Sequence, residues 1–210
     1  MATRTESPRR RRPYAARVPA DVRRAQLLDA ALTVIVRDGY EKVSIDAIAR
    51  EAGVTRPVVY GVFDGLSDLL SALLDRQQAH AMNQLTPLLL AGFEEDSEAI
   101  EQLPAVIRAV AGAIVEDPDT WRPILLAPQG TPEAVRQRID ADREAVRQVL
   151  ESMIAAIFAA RNLQPDVEVL SHALVAVLEH FARILLEQPE LFEIERLVSS
   201  VEVVLDALQG

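Results

Sequence analysis

The chain has 210 residues, of which 50% are apolar and 4% aromatic, and it contains eight Gly, 12 Pro and no Cys. This balance favours helices packed through Leu, Val, Ile and Ala, and it excludes disulfides, cysteine-based zinc sites and thiol nucleophiles. The net charge of −10 divides into +4 over residues 1–65 and −14 over residues 66–210. Such a division predicts an N-terminal part that meets a polyanion, with nucleic acid as the first candidate.

Residues 1–17 are rich in Arg, Ser, Pro and Thr and have almost nothing to bury, which predicts a disordered arm. Its arginines either enter an A·T-rich minor groove or only add diffuse attraction to DNA, and both interpretations stay open. They are Arg9, Arg10, Arg11 and Arg12. No apolar segment follows them, so we do not interpret them as an export signal. With apolar runs shorter than about 18 residues, we expect a cytoplasmic protein that does not span a membrane.

Three helices are predicted within residues 21–63, of which the second and third are short. Apolar residues recur at helical spacing in the first, which ends at Gly39. The second begins after an N-cap at Ser44 and ends at Gly53. Thr55 is the predicted N-cap of the third, whose first turn tolerates Pro57 because an N–H there has no partner in the helix.

The second and third helices have the pattern of a helix-turn-helix. This motif needs a small residue where the helices touch, a Gly with positive φ in the turn and an apolar anchor on the second helix. Ala49, Gly53 and Val59 occupy these places. An ordinary pair of antiparallel helices is the alternative, and the basic flank of this segment argues against it.

The rest of the chain shows helical periodicity without the alternation of strands, so the predicted fold class is all-α. A long helix begins near Leu66 and runs to about Leu85. Five more helices are predicted at roughly 98–116, 119–126, 133–161, 166–188 and 193–208.

Several elements within residues 20–75 occur in a characteristic order: RAQLLDAA at 24–31, DGY at 38–40, VSIDAIA at 43–49, AGVT at 52–55 and VYGVF at 59–63. In this order and spacing they resemble the N-terminal domain of the tetracycline-repressor (TetR) family. The resemblance implies a helix-turn-helix DNA-binding domain at 18–65, after the arm at 1–17, and a helical effector-binding and dimerisation domain at 66–210. It also implies a dimeric repressor that leaves a pseudo-palindromic operator when a small, largely apolar effector binds.

The resemblance further implies which side chains meet DNA. Arg56 reaches guanine or a phosphate, Pro57 offers an apolar edge to a thymine methyl, and the Tyr60 hydroxyl contacts the backbone. The expected DNA-binding residues are Lys42, Ser44, Thr55, Arg56, Pro57 and Tyr60, together with the four arginines of the arm.

The sequence departs from the family at three positions. Leu66 stands where most relatives have a phosphate-binding lysine, and Gly61 and Val62 replace larger side chains. A second interpretation is therefore a helical small-molecule-binding protein whose specific DNA binding is weakened or lost. A third, an all-α enzyme, lacks a nucleophile, base and orienting group in any recognisable set.

The C-terminal helices contain scattered aromatic and His residues, for which core packing is the alternative to a role in binding. We expect the effector pocket to include Trp121, Phe158, His172 and Phe181. The spacing of Glu168, His172 and His180 does not favour a metal site, so we expect neither a metal nor a cofactor. An effector should act by moving the helix that begins near Leu66, which links the two predicted domains.

The last two long helices each have an apolar stripe that is either a dimer surface or buried within one chain. The stripes are Leu170, Leu174, Val177, Leu178, Phe181 and Leu185, and Ile194, Leu197, Val198, Val201, Val204, Leu205 and Leu208.

Deletion of residues 1–17 should leave folding and dimerisation unchanged but weaken DNA binding, because it removes six Arg and one Glu. With diffuse attraction, the plot of log affinity against log salt should become shallower by up to about 0.9 for each phosphate that is no longer neutralised. Arginines in a minor groove should instead make the truncation more harmful at A·T-flanked sites than at G·C-flanked ones. Equal affinity of both proteins at physiological salt would exclude a role for the arm.

Overall fold

The computed structural model describes residues 18–92, 102–126, 131–160 and 162–209. These residues form nine α-helices and no strand, which confirms the all-α fold class. The helices are α1 (Ala20–Asp38), α2 (Ile45–Glu51), α3 (Arg56–Tyr60), α4 (Leu66–Gly92), α5 (Leu103–Glu116), α6 (Pro118–Leu125), α7 (Glu133–Ala160), α8 (Val167–Glu187) and α9 (Ile194–Gln209). A short 3-10 turn, Tyr40–Lys42, leads from α1 towards α2.

The ends of the first helices follow from local chemistry. Ser44 is the N-cap of α2, and its Oγ accepts a hydrogen bond of 3.1 Å from the backbone N–H of Ala47. Gly39 and Gly53 have φ angles of +81° and +65°, which side-chain-bearing residues rarely adopt. The predicted cap and both predicted ends are therefore confirmed.

Thr55 occupies the N-cap position of α3, but its side chain makes no capping hydrogen bond, contrary to the prediction. The cause lies two residues further on. An N-cap side chain accepts from the second or third N–H of the helix, and Pro57 has no N–H to donate. The N–H of Val58 already donates to the Thr55 carbonyl oxygen at 2.9 Å.

Helix α4 continues to Gly92, seven residues beyond the predicted end at Leu85, and contains Pro87. An interior proline removes one helix hydrogen bond and bends the helix without always ending it. Just before it, the Thr86 hydroxyl donates to the Met82 carbonyl at 2.7 Å. Helix α5 begins at Leu103, and residues 98–101 of its predicted span lie outside the described residues.

The described helices enclose two hydrophobic cores. The first joins α1, α2, α3, the leading half of α4 and the start of α7, with Val135 and Ile139 contributed by α7. The second lies between the later part of α4, α5, α6, α8 and the region leading into α9. Its buried residues are Ala81, Ala111, Ile114, Trp121, Ala182, Leu185 and Leu186.

Charged groups join α7 to α8. Arg147 is 9% exposed and donates to the Ser171 hydroxyl at 2.9 Å while pairing with Glu144 and Glu151 on its own helix. Hydrogen bonds from Arg147 and Gln148 lower the pKa of Glu144 to about 2. The carboxylates beside Arg147 therefore compensate a cation that would be costly to bury alone.

Helix α8 is 21 residues long, and its most apolar 18-residue stretch has a mean hydropathy of 1.6 with 28% of its residues buried. By length and composition alone it could cross a membrane, contrary to the expectation that no apolar stretch was long enough. A search for unbroken apolar runs misses this stretch, because Glu179 and the histidines on this helix interrupt it. Within the described residues, α8 packs against α5, α6 and α7.

Gly53→Ala should lower the free energy of unfolding by about 1–2 kcal/mol, because an added Cβ is strained at positive φ even though no atom lies within 4 Å of it. The control is Gly112→Ala within α5, where the Cβ also meets open space. There the free energy of unfolding should rise by up to about 1 kcal/mol, because Ala favours helix over Gly. Chemical denaturation of both variants measures the difference, and equal effects would contradict it.

Candidate nucleic-acid interface

The recognition helix of the motif, α3, has one face in the core and one in solvent. Val59 is fully buried and anchors the helix. Arg56 and Pro57 are exposed, and Tyr60 is 51% exposed. The surface that α3 offers to a partner therefore contains a cation, an apolar ring and a phenol within five residues.

Arg56 is held against its own domain. Its Nε lies 3.3 Å from Oδ1 of Asp46 on α2, and both side chains are more than half exposed. Its interaction with the Tyr60 hydroxyl, followed by the charge of Asp46, raises the pKa of Arg56. Arg56 on α3 thus lies beside Asp46 on α2 at the exposed surface of the motif.

Thr55 lies at the start of the same surface and is exposed. Because Pro57 removes the N–H that a cap would bind, the Thr55 hydroxyl is not used in capping. A partner can therefore receive a hydrogen bond from this hydroxyl without competing with the helix end.

Lys42 and Ser44 line a shallow groove beside α2. Arg50 lines it too, and Ser44, Ala47 and Arg50 recur every three residues along one side of the helix. Arg50 was not predicted from the sequence, although that spacing was the available signal. The groove also contains Asp38, whose negative charge is paired with Arg37 at 2.9 Å.

Contacts from α1 fix the turn of the motif. The Gln26 side-chain amide donates to the Ala52 carbonyl at 2.7 Å, and Arg23 donates to the Gln26 amide oxygen at 2.6 Å. The guanidinium of Arg24 lies 4.6 Å from the centre of the Phe63 ring. Through these contacts, three residues of α1 support the motif. No pattern in the sequence indicates their roles.

Leu66, in the place of the family lysine, is half-buried and packs against the first core. This position therefore supplies packing at the start of α4 and no cation. Arg9, Arg10, Arg11 and Arg12 lie outside the described residues, so their predicted role stays a prediction.

The four expected pocket residues occupy different surroundings. Trp121 is 7% exposed in the second core, and its indole N–H donates to the side-chain oxygen of Gln84 at 3.2 Å. Phe181 is half-buried, His172 is exposed, and Phe158 lines an open pocket at the turn between α7 and α8. The other three do not line that pocket. In the described part of the chain no group of three His, Asp or Glu residues has the arrangement of a metal site.

A profile of the family described as "Bacterial regulatory proteins, tetR family" matches residues 27–73, which run from α1 into α4 and contain the whole motif. The helix-turn-helix domain belongs to the tetR family. The resemblance found in the sequence is thereby confirmed for the part of the chain that carries α2 and α3.

Two curated relatives share sequence with this chain. The HTH-type transcriptional regulator SrpR of Pseudomonas putida is 41% identical over 81 residues, covering 39% of this chain and 37% of that protein. The HTH-type transcriptional activator FasR of Mycolicibacterium smegmatis is 31% identical over 139 residues, covering 66% of this chain and 62% of that protein. The matches thus span less than two thirds of either relative's length.

The fold of this chain also has a solved counterpart that covers most of its length. The crystal structure of the transcriptional regulator FadR from Bacillus subtilis in complex with stearoyl-CoA has a TM-score of 0.65 to this chain at 20% identity. The alignment covers 86% of this chain and 96% of that structure. The similarity therefore includes the C-terminal helices, and at this identity it concerns the fold alone.

Asp46→Asn should raise the affinity for duplex DNA by about two- to fivefold, because it removes a negative charge and releases Arg56 from an exposed ion pair. In an Arg56→Ala background the same substitution should help less, since no arginine remains to be released. Fluorescence anisotropy of labelled duplexes with the four proteins of this cycle measures the coupling. Equal gains in both backgrounds would show that Asp46 acts by general repulsion only.

Proposed function

We propose that this protein is a homodimeric, ligand-responsive transcriptional regulator that binds a pseudo-palindromic operator and acts as a repressor. The main support for this proposal is the orientation of α3. Its Val59 side chain is buried in the core, whereas Arg56, Pro57 and Tyr60 are exposed to solvent. A cytoplasmic location and the absence of a catalytic role are part of the proposal.

In this proposal Arg56 reads a guanine edge in the major groove or holds a phosphate, and Pro57 contacts a thymine methyl. Tyr60, Thr55, Ser44 and Lys42 contact the DNA backbone. Two observations support these roles: the outward exposure of α3, and the basic groove beside α2. The groove adds Arg50 as a phosphate contact and supplies positive charge that Leu66 does not.

Dimerisation is proposed through α8 and α9, because each exposes large apolar side chains. Val169 and Val177 of α8 are 60% and 51% exposed, and Val203 and Val204 of α9 are 68% and 57% exposed. Burial against a second copy would remove this apolar surface from water. The predicted stripes also contain inward residues, since Val198 and Leu185 are buried within the chain.

A small effector is proposed to bind among the C-terminal helices. FadR, which shares the fold, was solved with stearoyl-CoA, a ligand with a long apolar chain. The candidate residues remain Trp121, Phe158, His172 and Phe181, although the first packs in a core and the third is exposed. The proposed domain division at residue 65 separates the interface from these helices.

FasR is named an activator, so activation from the same operator is the alternative to repression. The second candidate function is a small-molecule-binding protein without specific DNA recognition. The half-buried Leu66 favours it, since a phosphate contact expected of the family is missing there.

A binding selection from randomised duplex DNA tests the proposal directly. The expected result is an inverted repeat, with log affinity falling linearly as log salt rises. Arg56→Ala should cost about five- to 150-fold at one base position if it reads guanine, and equally at all sequences if it binds phosphate. Tyr60→Phe should weaken binding without unfolding the chain. Recovery of no sequence above background would favour the second function.

Val177→Glu should convert the dimer to a monomer and abolish binding to the inverted repeat, because it buries a charge in the proposed interface. Val146→Glu is the matched control, since Val146 on α7 is also 51% exposed. Sedimentation velocity measures the mass of each variant, and circular dichroism checks its helix content. Monomers from both substitutions, or from neither, would place the interface elsewhere.

A further inference from the structure

The side chain of Arg24, on the second turn of α1, reaches a ring that follows the recognition helix. Its guanidinium carbon lies 4.6 Å from the centre of the Phe63 ring. Phe63 is three residues before Leu66, where α4 begins, and it is 2% exposed, whereas Arg24 is exposed to solvent. A buried ring thus holds one part of an otherwise exposed cation.

The contact with the ring leaves the hydrogen-bonding capacity of Arg24 unused. A cation–π contact depends on the charge of the guanidinium and occupies none of its five N–H donors. Across the residues that the structure describes, the Arg24 side chain forms no hydrogen bond and no ion pair. Its charge and its donors therefore remain available to an external acceptor.

Carboxylates occur in the segments next to Arg24 and Phe63, yet none of them pairs with this arginine. Asp21 precedes Arg24 by three residues on α1, and Asp64 and Asp68 lie at the start of α4. Asp68 instead accepts a hydrogen bond of 3.0 Å from the backbone N–H of Asp64. The free guanidinium is therefore not the result of a lack of acidic residues in these segments.

Other arginines of the same part of the chain are paired. Arg37, Arg56 and Arg76 each form an ion pair with an Asp or Glu side chain. Among the described residues, Arg24 and Arg50 form none. The chain has 32 acidic and 22 basic residues, so unpaired arginines are not expected from composition. An external polyanion would supply the missing partner of both.

The two unpaired arginines lie before and after α3. Arg50 lines the groove beside α2, which precedes α3, whereas Arg24 lies against Phe63, which follows it. A recognition helix in the major groove of B-DNA has a sugar-phosphate backbone on each side. Cations on the elements before and after α3 therefore suit the two backbones that border the groove.

We propose that Arg24 binds a backbone phosphate of duplex DNA from α1, beside the start of α4, where Leu66 supplies no cation. This inference rests on the proposed function and names a DNA contact on a helix outside the helix-turn-helix motif. Because the Phe63 ring already holds the guanidinium, less side-chain freedom is lost when the phosphate binds. A backbone contact carries no sequence information, so its effect is the same on every duplex.

The experiment measures the slope of log affinity against log salt for the full-length protein, on a duplex of random sequence and on the duplex recovered by selection. Arg24→Gln should make the slope shallower by about 0.9 on both, because one phosphate is no longer neutralised. Affinity at physiological salt should fall by about three- to tenfold on both. Arg24→Lys keeps the positive charge and should restore the wild-type slope.

Arg196→Gln on α9 is the matched control. Its guanidinium carbon lies 5.1 Å from the centre of the Phe192 ring, and the residue is exposed like Arg24. The substitution removes the same charge and the same kind of contact outside the helix-turn-helix domain, so the slope should not change. Sedimentation velocity and circular dichroism check the mass and helix content of each variant. An unchanged slope in Arg24→Gln, or an equal reduction in Arg196→Gln, would overturn the inference.

Modification of the wild-type protein with phenylglyoxal, followed by tandem mass spectrometry, needs no variant. DNA should slow the modification of Arg24 at least twofold and leave that of Arg196 unchanged. Equal rates for Arg24 with and without DNA would overturn the inference even if Arg24→Gln fails to fold. Failure to bind any duplex overturns the proposed function and the inference together, whereas binding that leaves Arg24 unprotected overturns the inference alone.

Discussion

Helix α4 takes part in two hydrophobic cores, and the arrangement of the other helices depends on this. Leu69, Leu70 and Leu73 complete the core of the helix-turn-helix domain, whereas Ala81 and Leu85 reach the second core on the same helix. A continuous helix transmits rotation and translation along its length. The exposed face of α3 therefore cannot be positioned independently of the C-terminal helices, even where the chain can be divided by sequence.

Features with a local cause could be predicted from the sequence. Ser44 caps α2 and Gly39 and Gly53 adopt positive φ because neighbouring backbone groups require it, so their roles follow from a few adjacent residues. The hydrogen bond from the Tyr40 hydroxyl to the carbonyl of Pro123 joins residues 83 apart, and no pattern within either segment indicates it. Thr55 shows the limit of local reasoning, since its type fits a cap while the nearby Pro57 prevents the bond.

The apolar stripes of α8 and α9 could be predicted, but not their orientation. Periodicity places Leu185 and Val177 on related faces of α8, yet the first is 4% and the second 51% exposed. Which residues face inward depends on how α5, α6 and α7 pack around α8. The residues of an effector pocket are harder to predict, because several helices together form a cavity. Aromatic residues also fill cores, as Trp121 does.

Under the proposed function, the ion pair between Arg56 and Asp46 would also affect the speed of the search for the operator. A regulator that scans a genome meets mostly wrong sequences, and an extended arginine would pause at each phosphate or guanine that it passed. With Asp46 as a competing partner, Arg56 has an alternative acceptor on the protein's own surface. Asp46 would then shorten the time that the protein spends bound at each wrong sequence, while it keeps the Arg56 side chain close to the recognition surface.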